Sequence, residues 1–567
     1  MPTVSEILRE RLSDALEKSG VEIDEPLQIG PTSDPRHGDY QTNAAMVFGK
    51  KLKQNPRALA ARIVGNLSIN DIGAPPEIAG PGFINFRLST EFVAEHLHRV
   101  GLNERLGVER AKTPQTIVID FSSPNIAKPM HVGHIRSTIL GDALAKIARF
   151  LGHNVITDNH IGDWGTQFGK VIYAWKHLLV EERLGSDPVA ELVRIYREVD
   201  AASKNDPDTL EKCRVELVKL QQGDPENQRI WQRCVDLSLV EFSQVYDLLA
   251  VRFDHQLGES FYNPELPRVV QELQERGVAE VSDGAVVVWD RSLNDDPFII
   301  RKSDGGFGYA ATDVATIEYR LNQWRADAIW YIVGAPQQLH FRQLFSLARR
   351  LGYTADLQHV AFGSIMGEDR KLMRTRSGES IPLRSLLAEA IDRAQAIIAE
   401  KNPELSAEER LAIGRIVGIG SVKYADLSQH RMTDYIFSWD KMLSLQGNTA
   451  PYLQNAYVRC RSIFRRLPAS FSPPGSLYLQ EKAELDLAKK ILLFPDVVPA
   501  ILEGFKPNIL ANYLYELASV FHGFYESCQV LSAEPPARET RLMLCDIFSR
   551  LLGTGLGLLG IGVPEKM

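Results

Sequence analysis

The sequence predicts an α/β protein: a doubly wound parallel sheet carrying a helical insertion, with a small α+β unit before it and an all-α unit after it. Three observations carry this. A βαβ pattern occupies residues 116–157. A charged helical stretch then interrupts the strand signals between residues 180 and 251. After Pro403 strand signals nearly cease. A chain of 567 residues has room for about three or four domains. The divisions expected are 1–110, 111–402 with the insertion at about 180–280, and 403–567.

The elements follow in order. Thr3 and Glu6 have capping-box spacing. Val4, Ile7, Leu8, Leu12, Ala15 and Leu16 then make one helical face that stops at Gly20. After a Pro/Gly/Asp-rich stretch at 31–40, helices are expected at 44–53 and 56–67, and residues 81–88 alternate as a strand. In the core, residues 116–121 (TIVIDF) are β-branched and apolar. A Pro- and Asn-bearing loop leads into a helix over 132–151, with apolar positions at Ile135, Ile139, Leu140, Ala143, Leu144, Ile147 and Ala148. Gly152 ends it and a strand resumes at 154–157. Past the insertion, strands are expected at 284–289, 328–333 and 357–362, with a helix over 338–351. Pro-rich breaks at 468–474 and 535–536 divide the C-terminal helices.

Composition bounds the function. Hydrophobic residues make up 44% and charged residues 24%, as in an ordinary globular protein. Neither a basic-then-apolar leader nor a run of eighteen apolar residues is present, so a cytoplasmic protein with no membrane partner is expected. The five cysteines form no C-x-x-C pair, which fits a reducing compartment and offers no zinc site or other metal centre. A net charge of −8 by itself argues mildly against a nucleic-acid binder, and no DNA partner is expected. The acidity lies in the first 410 residues, however, and the part from Leu411 onward is slightly basic. Local basic tracks there suffice for RNA contact, since screening limits each charge to about 8–10 Å.

The most informative stretch is Ser123-Pro-Asn-Ile-Ala-Lys-Pro-Met-His-Val-Gly-His134, at the joint between strand and helix. His131 and His134 fall at the helix N-terminus, where unpaired N–H groups and the positive dipole end favour phosphate. Two imidazoles add hydrogen-bond donors, Gly133 lets a purine ring approach the backbone, and Lys128 adds a mobile positive charge. The motif reads as a nucleotide site.

This segment resembles the HIGH signature of class I aminoacyl-tRNA synthetases. The wider strings SPNIAKPMHVGHIRST (123–138) and DNHIGDWGTQFG (158–169) resemble the arginyl-tRNA synthetases in particular, and the likeness runs through the whole chain. The resemblance implies a Rossmann-like, HIGH-type catalytic core. It also implies ATP-dependent attachment of L-arginine to tRNA(Arg) through an arginyl-adenylate. Mg²⁺ would then be held mainly through the ATP phosphates, and the enzyme would act as a monomer.

Carried over residue by residue, the resemblance points to His131, Gly133, His134 and Met373 for ATP, and to Asn125 and Gln337 for the backbone end of arginine. For the rest of that substrate it points to Tyr309, Asp313 and Glu259. A guanidinium is a planar fork of donors, best read by carboxylates and carbonyl-type acceptors. Tyr309 and Asp313 share a face if their segment is helical, and Asp313 is the stronger candidate for the guanidinium. The family's second signature, KMSKS, is degenerate here: Leu372 and Thr375 stand at its lysine positions. Arg374 and Arg376, with Lys128 opposite, are the expected replacement cations beside His131 and His134. The N-terminal unit is expected to contact the tRNA elbow, and the C-terminal helices the anticodon arm, through Arg459, Arg465, Arg466 and Met567. Two rival readings are a small-molecule adenylating enzyme of the same fold and an RNA-binding relative without catalysis. The flanking domains weigh against the first, and the intact His131-Val-Gly-His134 against the second.

Overall fold

A computed structural model describes the chain except Met1, Ser33, Asn294, Asp295, Leu372 and residues 374–380. The first helix, Val4–Lys18, starts at the Thr3/Glu6 capping box and buries the predicted face. An antiparallel sheet follows in the order Ile29–Pro31, Tyr40–Thr42, Phe83–Phe86, Glu77–Ala79. Helices Ala44–Lys51 and Pro56–Asn66 accompany it. Only the Phe83–Phe86 strand was expected. The other three have three residues each, too few for alternation to register.

The central sheet is parallel throughout, in the order Asp356–His359, Ala328–Tyr331, Thr116–Asp120, Asn154–Asp158. Helix Val132–Phe150 connects the third and fourth of these strands, and helix Gln338–Arg350 the second and first. The two connections run outward in opposite directions. A topological switch point therefore opens at the C-terminal ends of Thr116–Asp120 and Ala328–Tyr331, where open α/β sheets bind ligands.

The insertion is helical. Pro188–Asn205, Pro207–Gln221 and Pro225–Leu249 each begin with an Asp-Pro pair. The aspartate caps the first N–H groups, and the proline takes the position where a missing N–H costs nothing. Downstream, Glu280–Ser282, Ala285–Val288 and Phe298–Arg301 form a separate antiparallel sheet, of which the sequence showed the middle strand alone.

A long helical pair, Leu383–Lys401 and Ala407–Leu427, leads into the C-terminal helices. One continuous core runs from the N-terminal unit through helix Val132–Phe150 into those helices. A second core, on the other face of the sheet, packs Val118, Ile329 and Tyr331 against helices Leu266–Glu275, Tyr309–Asn322 and Gln338–Arg350. The chain ends are joined: Thr3 Oγ1 and Ser5 Oγ donate to Asp496 at 2.7 and 2.9 Å, and Lys489 pairs with Asp39 at 2.8 Å. Among the described residues no helix is long and apolar enough to cross a membrane.

Candidate active site

Asp120 and Asp158 end neighbouring strands in register, and a buried arginine bridges them. Arg320 of helix Tyr309–Asn322 places Nη2 2.7 Å from Asp120 Oδ2 and 2.8 Å from Asp158 Oδ2, beneath the Tyr331 ring. Removing one member of such a buried set strands the others' charge, so the clamp fixes where that helix sits. No sequence signal separates Arg320 from an ordinary solvated helix arginine, and sequence reasoning missed it.

The loop after Thr116–Asp120 holds left-handed backbone at three residues other than glycine: Ser122 (φ 75°), Ser123 (φ 48°) and Ala127 (φ 60°). Such conformations persist only where the surroundings over-determine them. Here the Ser122 N–H donates to Ser137 Oγ at 2.8 Å, that of Ser123 to Asn159 Oδ1 at 3.0 Å, and that of Ala127 to Ser238 Oγ of the insertion at 3.0 Å. The insertion thus serves as a wall of the site.

His131 caps helix Val132–Phe150. Its Nδ1 accepts from the Gly133 N–H at 3.0 Å, and His134 Nδ1 accepts from the His131 N–H at 3.1 Å. Both Nδ1 atoms are therefore unprotonated, and each neutral ring carries its proton on Nε2. Burial, aided by the Lys128 charge, lowers the His131 pKa. Burial and the neighbouring His131 take His134 down to about 3. At neutral pH the helix N-terminus therefore carries two uncharged N–H donors. A Cβ on Gly133 would lie 2.7 Å from His131 Cε1, so a side chain there would press on the capping ring.

Three carboxylates, Asp163, Glu259 and Asp313, lie near one another. Asp163 accepts from the N–H and Oγ of Ser260 at 2.8 and 2.6 Å, and a Cβ on Gly258 would lie 2.3 Å from its carboxylate. Gly258 and Ser260 thus dock onto Asp163 and hold Glu259 between them. Burial, then the nearby Asp163 and Asp313 carboxylates, push the Glu259 pKa up to about 8. Tyr309, 72% exposed at the start of its helix, is raised by burial of its hydroxyl and by Glu259. Asp313 lies one turn further along, with Oδ2 2.6 Å from His340 Nε2. Asn125 is bridged to Gly162, where a Cβ would come 2.3 Å from its Oδ1. Gln337 is exposed at the cap of helix Gln338–Arg350. Glu259, Tyr309 and Asp313 are thus brought close together, with Asn125 beside Gly162 next to Asp163 and Gln337 three residues before the Asp313 partner His340. Asp163 and His340 were missed, although both lie inside or beside strings the sequence singled out.

Of the degenerate second signature, Met373 is half-buried, its N–H 3.4 Å from Ile365 O. Leu372, Arg374, Thr375 and Arg376 lie outside the described residues. Beyond them Ile381 O accepts from the Val132 N–H at 3.0 Å, and the Leu383 N–H donates to Met130 O at 2.9 Å. Ile381 and Leu383 are therefore anchored beside His131. Lys128 is exposed, with Nζ 5.7 Å from the Tyr196 ring. In the C-terminal helices Arg459, Arg465 and Arg466 are exposed on or at the end of helix Ala450–Arg465. Arg459 stacks over Tyr525, and Arg465 donates to Glu565 O at 2.9 Å. Met567 packs against the core.

A family model described as the catalytic domain of class I (R) tRNA synthetases matches residues 96–439. The chain belongs to the arginyl-tRNA synthetases. An N-terminal arginyl-tRNA synthetase domain matches at residues 6–88 and a DALR anticodon binding domain at 453–567. The chain is 43% identical to an arginine–tRNA ligase of Synechococcus elongatus, with 99% of each covered, and 43% identical to that of Chromobacterium violaceum, with 100% of each covered. Its fold is similar to the arginyl-tRNA synthetases of Plasmodium falciparum (29% identity, TM-score 0.87) and Thermus thermophilus (25%, 0.84), each covering both chains fully.

Proposed function

We propose that the chain joins L-arginine to tRNA(Arg) with ATP, through an arginyl-adenylate, releasing AMP and pyrophosphate. The observation that carries this is a pair of neutral N–H donors at the N-terminus of the helix that follows a switch-point strand, in a chain that also gathers the carboxylates Asp163, Glu259 and Asp313. The arginine carboxylate attacks the α-phosphorus in line, pyrophosphate leaves, and a terminal ribose hydroxyl of the tRNA then displaces AMP. No general base is needed for the first step, so rate comes from positioning and charge neutralisation. His131 and His134 donate Nε2–H to phosphate oxygens, while Gly133 and Met373 lie along the nucleotide. Lys128, Arg374 and Arg376 supply positive charge to the triphosphate. Mg²⁺, when bound, would share that neutralisation from the phosphate oxygens. The strand-end carboxylates Asp120 and Asp158 are committed to Arg320, which supports a metal held by ATP and not by the protein.

Asn125 and Gln337 orient the amino and carboxylate end of arginine, Tyr309 lies along its side chain, and Asp313 with Glu259 reads the guanidinium. Arg459, Arg465, Arg466 and the end of the chain at Met567 form the tRNA-facing surface of the helical unit 403–567. The unit 1–110 contacts the tRNA elsewhere, and 111–402 is the catalytic unit. The enzyme works as a cytoplasmic monomer; its five free, buried cysteines suit a reducing compartment. Charging total tRNA with each of the twenty amino acids and ATP tests the reading. Arginine alone is expected to be attached, and attachment of another amino acid in its place overturns it.

A further inference from the structure

The carboxylate proposed to read the guanidinium does not stand free. Asp313 Oδ2 is 2.6 Å from His340 Nε2. An ionised carboxylate only accepts, so that ring nitrogen carries a proton. Burial pushes the imidazole toward its neutral form, but the Asp313 bond and charge outweigh it and the His340 pKa is raised. The ring is held edge-on against Phe298 (centroids 5.2 Å apart, planes at 67°) and Phe341 (5.5 Å, 87°). The two rings restrict how far His340 can swing.

Both side chains are partly exposed, 29% for His340 and 22% for Asp313. A partly exposed aspartate without a partner would exchange among rotamers. The histidine takes Oδ2 and leaves Oδ1 without a hydrogen bond to it, while Glu259 presents a second carboxyl near enough for the Asp313 charge to raise its pKa. A guanidinium can divide its five N–H groups between two separately oriented carboxyls, whereas an ammonium, a compact point charge, has no such fork. The bond also ties helix Tyr309–Asn322 to the first turn of helix Gln338–Arg350, three residues after Gln337. One hydrogen bond thus links the two ends of the proposed arginine site.

We propose that His340 is a positioning residue that fixes Asp313 for the guanidinium, and so sets arginine affinity and the preference for arginine over lysine. This rests on the arginine reading of the site.

The test is charging kinetics of H340A, H340F and H340Q, with a thermal melt of each. Phenylalanine keeps the packing against Phe298 and deletes the N–H, so it carries the test if alanine does not fold. Glutamine restores an amide N–H near the Nε2 position. Loss of a hydrogen bond to a charged group predicts that H340F and H340A raise the arginine KM by roughly tenfold or more. The KM for ATP and kcat are expected to stay within about threefold. H340Q should recover most of the loss, and inhibition by lysine should change less than arginine binding does. An unchanged arginine KM in H340F, a parallel rise for arginine and ATP, or a glutamine variant no better than phenylalanine overturns the proposal. A wild-type enzyme that charges a different amino acid defeats the parent reading; one that charges arginine yet is indifferent to position 340 defeats this proposal alone.

Discussion

Arginine binding should depend steeply on pH through Glu259. In the free site its carboxyl is pushed up to about 8, first by burial and then by Asp163 and Asp313. Below that value it is protonated and offers the guanidinium no charge, and the guanidinium itself does not titrate in this range. An arriving cation reverses the cause of the shift, so binding favours the ionised form and releases a proton. The sign follows: affinity is lost as pH falls below the raised pKa and levels off above it. With ionisation required, the arginine KM should be about tenfold weaker at pH 7 and about a hundredfold weaker at pH 6 than at pH 9. His340 acts in the same direction, since its raised pKa means that rising pH removes a positive charge from beside Asp313. E259Q separates the two: it should raise the KM and leave only the shallower histidine dependence. The assay is the arginine KM for charging between pH 6 and 9 at saturating ATP and tRNA, with the ATP KM as control. A constant arginine KM over that window, or a slope undiminished in E259Q, refutes the reasoning.

H134A should slow adenylate formation by about two to three orders of magnitude, the usual cost of losing a transition-state donor, while the lost cap bond costs only about 1 kcal/mol of stability. A near-wild-type single-turnover rate would remove His134 from the site. R320M strands Asp120 and Asp158 and should destabilise the fold by about 3–5 kcal/mol; an unmoved urea midpoint contradicts the clamp. Because Leu372 and Thr375 replace the signature lysines, arginine-dependent ATP–pyrophosphate exchange should require tRNA, even tRNA oxidised at its terminal ribose. Robust exchange without RNA shows that the resting site already holds the needed charge.

What the sequence revealed depended on how local the signal was. The strand–loop–helix over Thr116–Phe150 was legible because a β-branched run, a proline-bearing loop and a one-face helix adjoin within forty residues. The histidines followed, because a helix N-terminus has its own chemistry wherever it occurs. The strand Tyr40–Thr42 is paired with Phe83–Phe86 across more than forty residues, and Glu77–Ala79, although it pairs locally with that same strand, is too short for alternation to register. Arg320, 200 residues from Asp120, has nothing in its neighbourhood to mark it as buried. The role of Gly133 was read as clearance for a ligand; its nearest neighbour is the His131 ring, a contact that depends on the rotamer the cap selects. His340 stood three residues from a residue already chosen, yet only tertiary packing turns it toward Asp313.

The helix that carries the two histidines is fastened along much of its length to elements outside the sheet. Arg136, two residues past His134, places Nε 3.0 Å from Asp426 Oδ1 and Nη1 3.0 Å from Thr433 O, with the Tyr435 ring beside it. Further along, Asp142 pairs with Lys146 and lies 3.7 Å from Lys423 Nζ, which also donates to Gly560 O at 2.8 Å. Burial lowers the Lys423 pKa to about 8, against the pull of Asp142. Buried charges like these add little net stability but cost much to break, so their main effect is to fix how two elements meet. Here one partner is helix Ala407–Leu427 and the other is the approach to the chain's end, which Arg465 also holds through Glu565. A ligand shifts a conformation only by the difference in its affinity for two states. An RNA that grips Arg459, Arg465 and the chain end makes that difference on elements bonded to helix Ala407–Leu427, where Gln454 Nε2 donates to Ile416 O at 3.4 Å and Lys423 Nζ to Gly560 O at 2.8 Å. A requirement for tRNA in adenylate formation would therefore pass through one intermediate element, because helix Ala407–Leu427 holds the helix proposed to bind the phosphates through buried ion pairs and also touches the elements proposed to hold the RNA.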